Sequence, residues 1–227
     1  MMKTKNMVYV FDLDNTLIKT NIANNLSYKE AINVVAGIDI KINSRQRITR
    51  YLLRKYVQNL SELAVNEIIA KKESCFEKYI HETSLNDNLY RLLRIIHETG
   101  NETILLTNCH KGRAMQLSSH YCISKYFTRM FYSEDFADDK YSFLKQMGYD
   151  LTSVILFEND INSMKNAKTY GIKRAVIYNE KKHIDNPMYD LNRIILQEDR
   201  SVIRIDSTNM VENVKLLVEK ESELMLF

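Results

Sequence analysis

The stretch Met7-Val8-Tyr9-Val10-Phe11-Asp12-Leu13-Asp14-Asn15-Thr16-Leu17 decides the fold. Val8 to Phe11 is a short apolar run of the length expected for a strand covered on both faces, and it ends on two carboxylates, Asp12 and Asp14. Burying two charges at a strand end is costly. In an open parallel sheet, ligands sit in the crevice beyond the carboxyl ends of the strands, so acids placed there point to a held cation or to chemistry. A single aspartate at this position would read as an ordinary polar exit from a strand.

Downstream the pattern changes twice. From Leu17 to about Thr83 it is helical, with apolar residues at three and four spacing over Tyr28 to Val35, Arg47 to Leu60 and Leu63 to Ile80. Ser27 and Ser44 are candidate N-caps, and Ser61-Glu62 opens the third helix. From Leu85 onward helix and strand alternate. Leu89, Leu92, Leu93 and Ile96 form a helix stripe closed by Gly100, and Thr103 to Leu106 follows as a buried strand. Gly112 to Tyr121 reads as helix, Arg129 to Tyr132 as strand and Lys140 to Met147 as helix closed by Gly148. Val154 to Phe157 reads as strand, Ile161 to Tyr170 as helix ending at Gly171, and Arg174 to Tyr178 as strand. Such alternation predicts an α/β fold, a Rossmann-like parallel sheet with helices on both faces and an all-helical insertion. The expected boundaries are residues 1–18 and 84–227 for the core and 19–83 for the insert, joined by short hinges near Lys19 and Thr83. In the tail, residues 183–191 around Pro187 read as loop, Val202 to Ile205 as an edge strand and Val211 to Leu226 as a terminal helix.

Composition narrows the function classes. The chain has 227 residues, 45% of them hydrophobic and 27% charged, values typical of a globular protein with one sizeable core. A net charge of +3 is too small to argue for nucleic acid by itself. The three cysteines, Cys75, Cys109 and Cys122, have no C-x-x-C spacing, which suggests neither a zinc cluster nor a disulfide framework. No apolar run approaches the roughly 18 residues of a membrane span, and the short segment before the first strand leaves no room for a signal peptide. A cytoplasmic location is expected.

At Asp12-Leu13-Asp14-Asn15-Thr16-Leu17 the chain resembles the first motif, D-x-D-x-T, of the haloacid dehalogenase-like (HAD) phosphohydrolases. The resemblance implies that Asp12 attacks phosphorus to form an aspartyl-phosphate, and that Asp14 protonates the leaving oxygen and then activates water. A carboxylate is a weak nucleophile, and such chemistry becomes feasible when a metal neutralises the phosphate and a second acid handles protons. Ile104-Leu105-Leu106-Thr107-Asn108 is similar to the second motif, with the Thr107 hydroxyl and Asn108 set to bind phosphate. Lys140, in Asp138-Asp139-Lys140-Tyr141, sits where the third motif places a lysine that offsets transition-state charge.

The fourth motif departs from the family pattern. Val154-Ile155-Leu156-Phe157-Glu158-Asn159-Asp160-Ile161-Asn162-Ser163 resembles a strand-acid-helix block, but Asn159 and Ser163 stand where acids are usual. The resemblance implies a Mg2+ site of Asp12, the Asp14 backbone carbonyl and Asn159, with Glu158 restoring the missing charge, in preference to a shift in register to Asp160. An acid at position 14 favours phosphate esters over carbon-halogen or carbon-phosphorus bonds. Placed between the first and second motifs, the insert matches the family's C1 cap, a lid closing over a small phosphorylated metabolite such as a nucleotide or sugar phosphate.

Together these expectations describe a Mg2+-dependent phosphatase acting on a small phosphate monoester. Two alternatives stay open. The altered fourth motif fits a weakened relative that binds a phosphorylated ligand or partner without turnover. Arg47, Arg50 and Arg54, three and four apart near Tyr51, could instead attract nucleic-acid ends, although a solvated helix face explains them as well. Asn21, Asn24 and Asn25 could reach substrate or form a polar hinge, and His110 and Lys111 could contact a leaving group or be ordinary loop residues.

Overall fold

A computed structural model describes residues 7–43, 46–57 and 60–172, together with the backbone of 174–177. Five parallel strands form the central sheet: β1 (Val8–Phe11), β4 (Glu102–Leu106), β5 (Arg129–Phe131), β6 (Val154–Glu158) and β7 (Arg174–Ile177), in the order β5-β4-β1-β6-β7. All four residues of β1 are buried, as a strand at the centre of a sheet requires. Their side chains alternate between faces. Tyr9 and Phe11 join a core with α4 (Asp87–Glu98) and α5 (Lys111–His120), where Phe11 stacks on Phe157 at 4.3 Å. Val8 and Val10 join a second core with α6 (Lys140–Gln146) and α7 (Ile161–Thr169).

Register fixes the site. Phe11 pairs with Leu105 on one side and Phe157 on the other, so Asp12 leaves the sheet beside Leu106 and Glu158, one residue short of Thr107. Successive chain segments run to opposite sides of β1, which makes its carboxyl end the switch point where a parallel sheet opens a crevice.

Between β1 and β4 the chain forms α1 (Asn21–Ala36), α2 (Arg50–Tyr56) and α3 (Glu62–Cys75), the last tightening into a 3-10 turn over Phe76–Glu82. These helices have their own core, which includes Tyr28, Ile32, Ile48, Leu53 and Ile68. The chain enters and leaves them through a ribbon absent from the sequence reading, β2 (Ile18–Lys19) antiparallel to β3 (Ser84–Leu85).

Two local expectations are corrected. Ser27 is not an N-cap: α1 starts at Asn21, and the Ser27 hydroxyl donates to the Ala23 carbonyl at 2.7 Å inside the helix. The second helix starts at Arg50 instead of Arg47, capped by Thr49 accepting from the Leu52 amide at 3.2 Å. Asn24 and Asn25 explain the delay. They lie buried on α1, where Asn24 donates to the Ile48 carbonyl at 2.9 Å and Asn25 to the Gln46 carbonyl at 2.7 Å. Asn25 also accepts from the Ile48 amide at 2.8 Å. Backbone held by side-chain amides cannot also make helical bonds, so residues 46–48 stay outside the helix and present Arg47.

Ser61 caps α3 as expected, accepting from the Ala64 amide at 3.2 Å. Gly100 ends α4 with a φ of 82°, a left-handed conformation that glycine adopts without strain. The candidate cap Ser44 and the features expected beyond residue 177 lie outside the described residues. Cys75, Cys109 and Cys122 are free thiols, and among the described residues no helix is long and apolar enough to cross a membrane.

Candidate active site

The tip of β1 is closed by a buried lysine. Asp139 caps α6 by accepting from the Tyr141 and Ser142 amides, which turns Lys140 inward at the first helical position. Its ammonium, 3% exposed, lies 3.1 Å from Asp12 Oδ1, 2.9 Å from Glu158 Oε2 and 3.5 Å from the Leu106 carbonyl. Burial and the neighbouring Glu158 push the Asp12 carboxyl up to about 7, against the pull of Lys140. Burial alone would lower the Lys140 ammonium, but the charges around it, led by Asp12, raise it. The lysine therefore stays a fixed cation.

Glu158 faces the lysine. Its Oε2 also accepts from the Tyr141 hydroxyl at 3.2 Å and the Ser163 hydroxyl at 2.7 Å, and its Oε1 from the Asn159 and Asp160 amides at 3.0 and 3.2 Å. Although burial opposes ionisation, Lys140 holds this carboxyl below its usual range. Ser163 thus supports Glu158 in place of supplying an acid of its own.

On the other side of Asp12, Thr16 Oγ1 stands 3.2 Å from Asp12 Oδ2 and 3.3 Å from Asn159 Oδ1. One hydroxyl proton cannot serve both acceptors, so two oxygen donors from neighbouring strand ends converge one donor short. Hard oxygen donors gathered in this way suit Mg2+. Among the described residues no three His, Cys, Asp or Glu side chains group as metal ligands, which makes this set less anionic than a three-carboxylate site. Asp160 is turned away: it is exposed and caps α7, accepting from the Asn162 amide at 3.0 Å.

Thr107 is buried at the end of β4, its hydroxyl accepting from the Cys109 amide at 3.1 Å, while Asn108 is exposed. Asp14 stands where helical insert and sheet meet. Its Oδ1 accepts from the Thr20 hydroxyl at 2.6 Å, and its Oδ2 lies 2.9 Å from Arg113 Nη2 and 3.2 Å from Arg47 Nη2. Against the effect of burial, Arg113 and then Arg47 hold this carboxyl well below the usual carboxylate range.

No local signal in the sequence marks Arg113, an arginine on α5. It also bonds the Cys109 sulfur at 2.9 Å, reaches Glu73 of α3 at 3.3 Å and lies over the Phe76 ring. The arginine stripe does not form one solvated face. Arg47 turns to Asp14, Arg50 contacts His110, and Arg54 contacts Glu62. His110 also approaches Glu134, whose carboxylate accepts from the Lys111 amide at 2.9 Å.

Beside Arg113, Lys72 is 2% exposed and pairs with Glu73 at 3.1 Å over the rings of Tyr28 and Phe76. Burial and the nearby Arg113 bring its ammonium down to about 8 from the ordinary 10.5. Below that lower value the lysine is charged whether the chain is folded or not, and the folded chain carries the whole burial cost. Between the two values the unfolded chain binds more protons, so stability should rise with pH, by about 2 kcal/mol. Urea unfolding at about pH 7 and about pH 9.5 should show the rise in the wild type and its loss in Lys72→Met. An equal pH response in both proteins would refute the assignment.

A family model described as haloacid dehalogenase-like hydrolase matches residues 9–177, well over half of the chain. The comparison with curated protein sequences returned no match. Among solved structures, CbbY from Rhodobacter sphaeroides in complex with phosphate superposes with a TM-score of 0.64 at 16% identity, covering 79% of this chain and 89% of that one. A haloacid dehalogenase-like family hydrolase from Streptococcus pneumoniae gives 0.61 at 18% identity, covering 74% and 83%. A hydrolase from Pseudomonas syringae gives 0.60 at 15%, covering 76% and 84%. At these identities the structures establish a shared fold, and the family rests on the sequence match: the chain belongs to the haloacid dehalogenase-like hydrolases.

Proposed function

We propose that the chain is a Mg2+-dependent phosphatase that hydrolyses a small phosphate monoester through an aspartyl-phosphate on Asp12. The observation that carries this reading is the buried Lys140, held between Asp12 and Glu158 at the switch point of the sheet. An ammonium fixed there before substrate arrives costs no reorganisation as charge develops on phosphorus. CbbY, bound to phosphate in one structure and to xylulose-1,5-bisphosphate in another, lends support from a shared fold.

In the first step an Asp12 carboxylate oxygen bonds to phosphorus as the ester P–O bond breaks, and the departing alcohol oxygen takes a proton from Asp14. In the second, water gives a proton to Asp14 and its oxygen to phosphorus, releasing phosphate and restoring Asp12. Arg47 and Arg113 keep Asp14 in the form that deprotonates water. The proton that Asp14 gains from water in the second step is the one that the leaving oxygen takes in the next turnover. Thr107 would bind a phosphoryl oxygen. Mg2+ would be held by Asp12, the Asp14 carbonyl and Asn159, and when bound it supplies positive charge against the phosphate. Glu158 is better read as the orienting partner of Lys140 than as a ligand, because the lysine, Tyr141, Ser163 and two amides already engage it. The helical insert, residues 19–83, is read as the cap over this site and the remainder as the core.

The test is phosphate release over a panel of monoesters with and without Mg2+. Release that depends on the metal is expected; a flat screen in which the esters still bind would establish the non-catalytic alternative. Asn159→Asp should tighten Mg2+ binding by about tenfold, since it adds a charge to a hard-cation site. Calorimetry would check this, and unchanged affinity would place the metal elsewhere. No observation favours a nucleic-acid substrate, because each arginine of the stripe has an intramolecular partner.

A further inference from the structure

The turn that follows β1 is held from outside. Within residues 13–18 the Asn15 amide donates to the Ile18 carbonyl at 2.7 Å and the Ile18 amide to the Leu13 carbonyl at 3.0 Å. The carbonyls of Thr16 and Leu17, two buried residues, are met by a residue 70 positions away from Thr16. That residue is Asn86. Its backbone amide donates to the Leu17 carbonyl at 2.8 Å, and its side-chain Nδ2 donates to the Thr16 carbonyl at 3.1 Å.

Asn86 is buried, and it follows directly on β3, the strand by which the chain returns from the helical insert. It is also the N-cap of α4, its side-chain oxygen accepting from the Leu89 amide at 3.3 Å. Both ends of the side-chain amide are therefore committed, the oxygen to the helix and the nitrogen to Thr16. Capping alone would be served about equally by aspartate or serine. Of these residues only asparagine offers a separate donor for Thr16 while it accepts for the helix. Thr16 passes the constraint inward, because its hydroxyl stands 3.2 Å from Asp12 Oδ2 and 3.3 Å from Asn159 Oδ1.

We infer that Asn86 is a positioning residue: through the Thr16 carbonyl it fixes where the Thr16 hydroxyl stands between Asp12 and Asn159, and with it the spacing of those two oxygen donors. Asn86 acts at one remove and touches neither of them. The roles of Asp12 as nucleophile and of Asn159 as metal ligand are taken from the phosphatase reading, on which the inference rests. Its consequence is that the return strand of the insert is tied to the reacting end of β1 by one side chain.

The experiment separates capping from positioning on the full chain. Asn86→Ser keeps a capping acceptor and removes the donor to Thr16. Calorimetry should show Mg2+ bound about tenfold more weakly, and kcat on a simple aryl phosphate should fall about tenfold with KM within about twofold, the range expected when a supporting hydrogen bond behind a metal site is lost. The thermal midpoint without Mg2+ should stay near that of the wild type. Asn86→Asp, which keeps the cap and the size of the side chain but turns an acceptor toward the Thr16 carbonyl, should show the same losses. The decisive step is a double-mutant cycle with Thr16→Val, which removes the hydroxyl and leaves the backbone carbonyl. In that background Asn86→Ser should change Mg2+ affinity and kcat by less than about twofold, because the group through which it acts is gone. Equal losses in both backgrounds, or Mg2+ affinity and kcat that Asn86→Ser leaves unchanged, overturn the assignment. If the wild type binds Mg2+ and the coupling to Thr16 is present but no phosphate is released, the positioning role stands and hydrolysis falls. Release that Asn86→Ser leaves intact does the reverse, and a wild type that neither binds Mg2+ nor releases phosphate overturns both.

Discussion

Asp12→Asn is expected to lower phosphate release by at least about a thousandfold while leaving the fold intact, because an amide oxygen is a far poorer nucleophile than a carboxylate. Stability and activity should part company in this variant. The Asp12 carboxyl sits beside Glu158 in a buried site that pushes it up to about 7, so its charge is already disfavoured there. An asparagine keeps an oxygen for the Lys140 ammonium and removes the repulsion with Glu158. The thermal midpoint measured without Mg2+ should therefore hold or rise, while release from a simple aryl phosphate disappears. Activity above about a tenth of wild type would mean that another group attacks phosphorus.

What the sequence disclosed and what it concealed follow from the range of the interactions. Asp12, Thr107 and Glu158 were legible as strand ends because each closes a run of buried apolar residues, and parallel register brings such ends together without further information. Lys140 was legible from its place in chain order, and its inward turn depends on the neighbouring cap residue Asp139. The junction of insert and sheet around Asp14 was not legible. Arg113 lies on a helix whose pattern says only which face is buried, and its partners Asp14 and Glu73 are 99 and 40 residues away. Arg47 looked like one tooth of a helical stripe because the amides of Asn24 and Asn25, distant in sequence, undo the first turn of that helix. Periodicity reports what a segment does alone, and these residues are placed by how the helical insert packs on the sheet.

Lys140→Met separates positioning from catalysis more sharply than any other change. Removing the cation leaves Asp12 and Glu158 buried beside each other without their shared partner, and breaking a buried ion pair from one side costs about 3–5 kcal/mol. A large drop in stability is expected, with phosphate release down by about a hundredfold or more because charge on phosphorus is no longer offset. Loss of activity alone would be ambiguous, since a poorly folded enzyme is also inactive. The pair Lys140→Met with Glu158→Gln removes the ambiguity. Neutralising Glu158 relieves the repulsion, and the glutamine oxygen can accept from the Asn159 and Asp160 amides as Glu158 Oε1 does, while its NH2 group donates to the Ser163 hydroxyl oxygen where Glu158 Oε2 now accepts. Most of the stability should return in urea unfolding while activity stays at the level of the single variant. Recovery of both together would show that Lys140 serves only to hold the strand ends, and the charge-offsetting role would have to pass to another group.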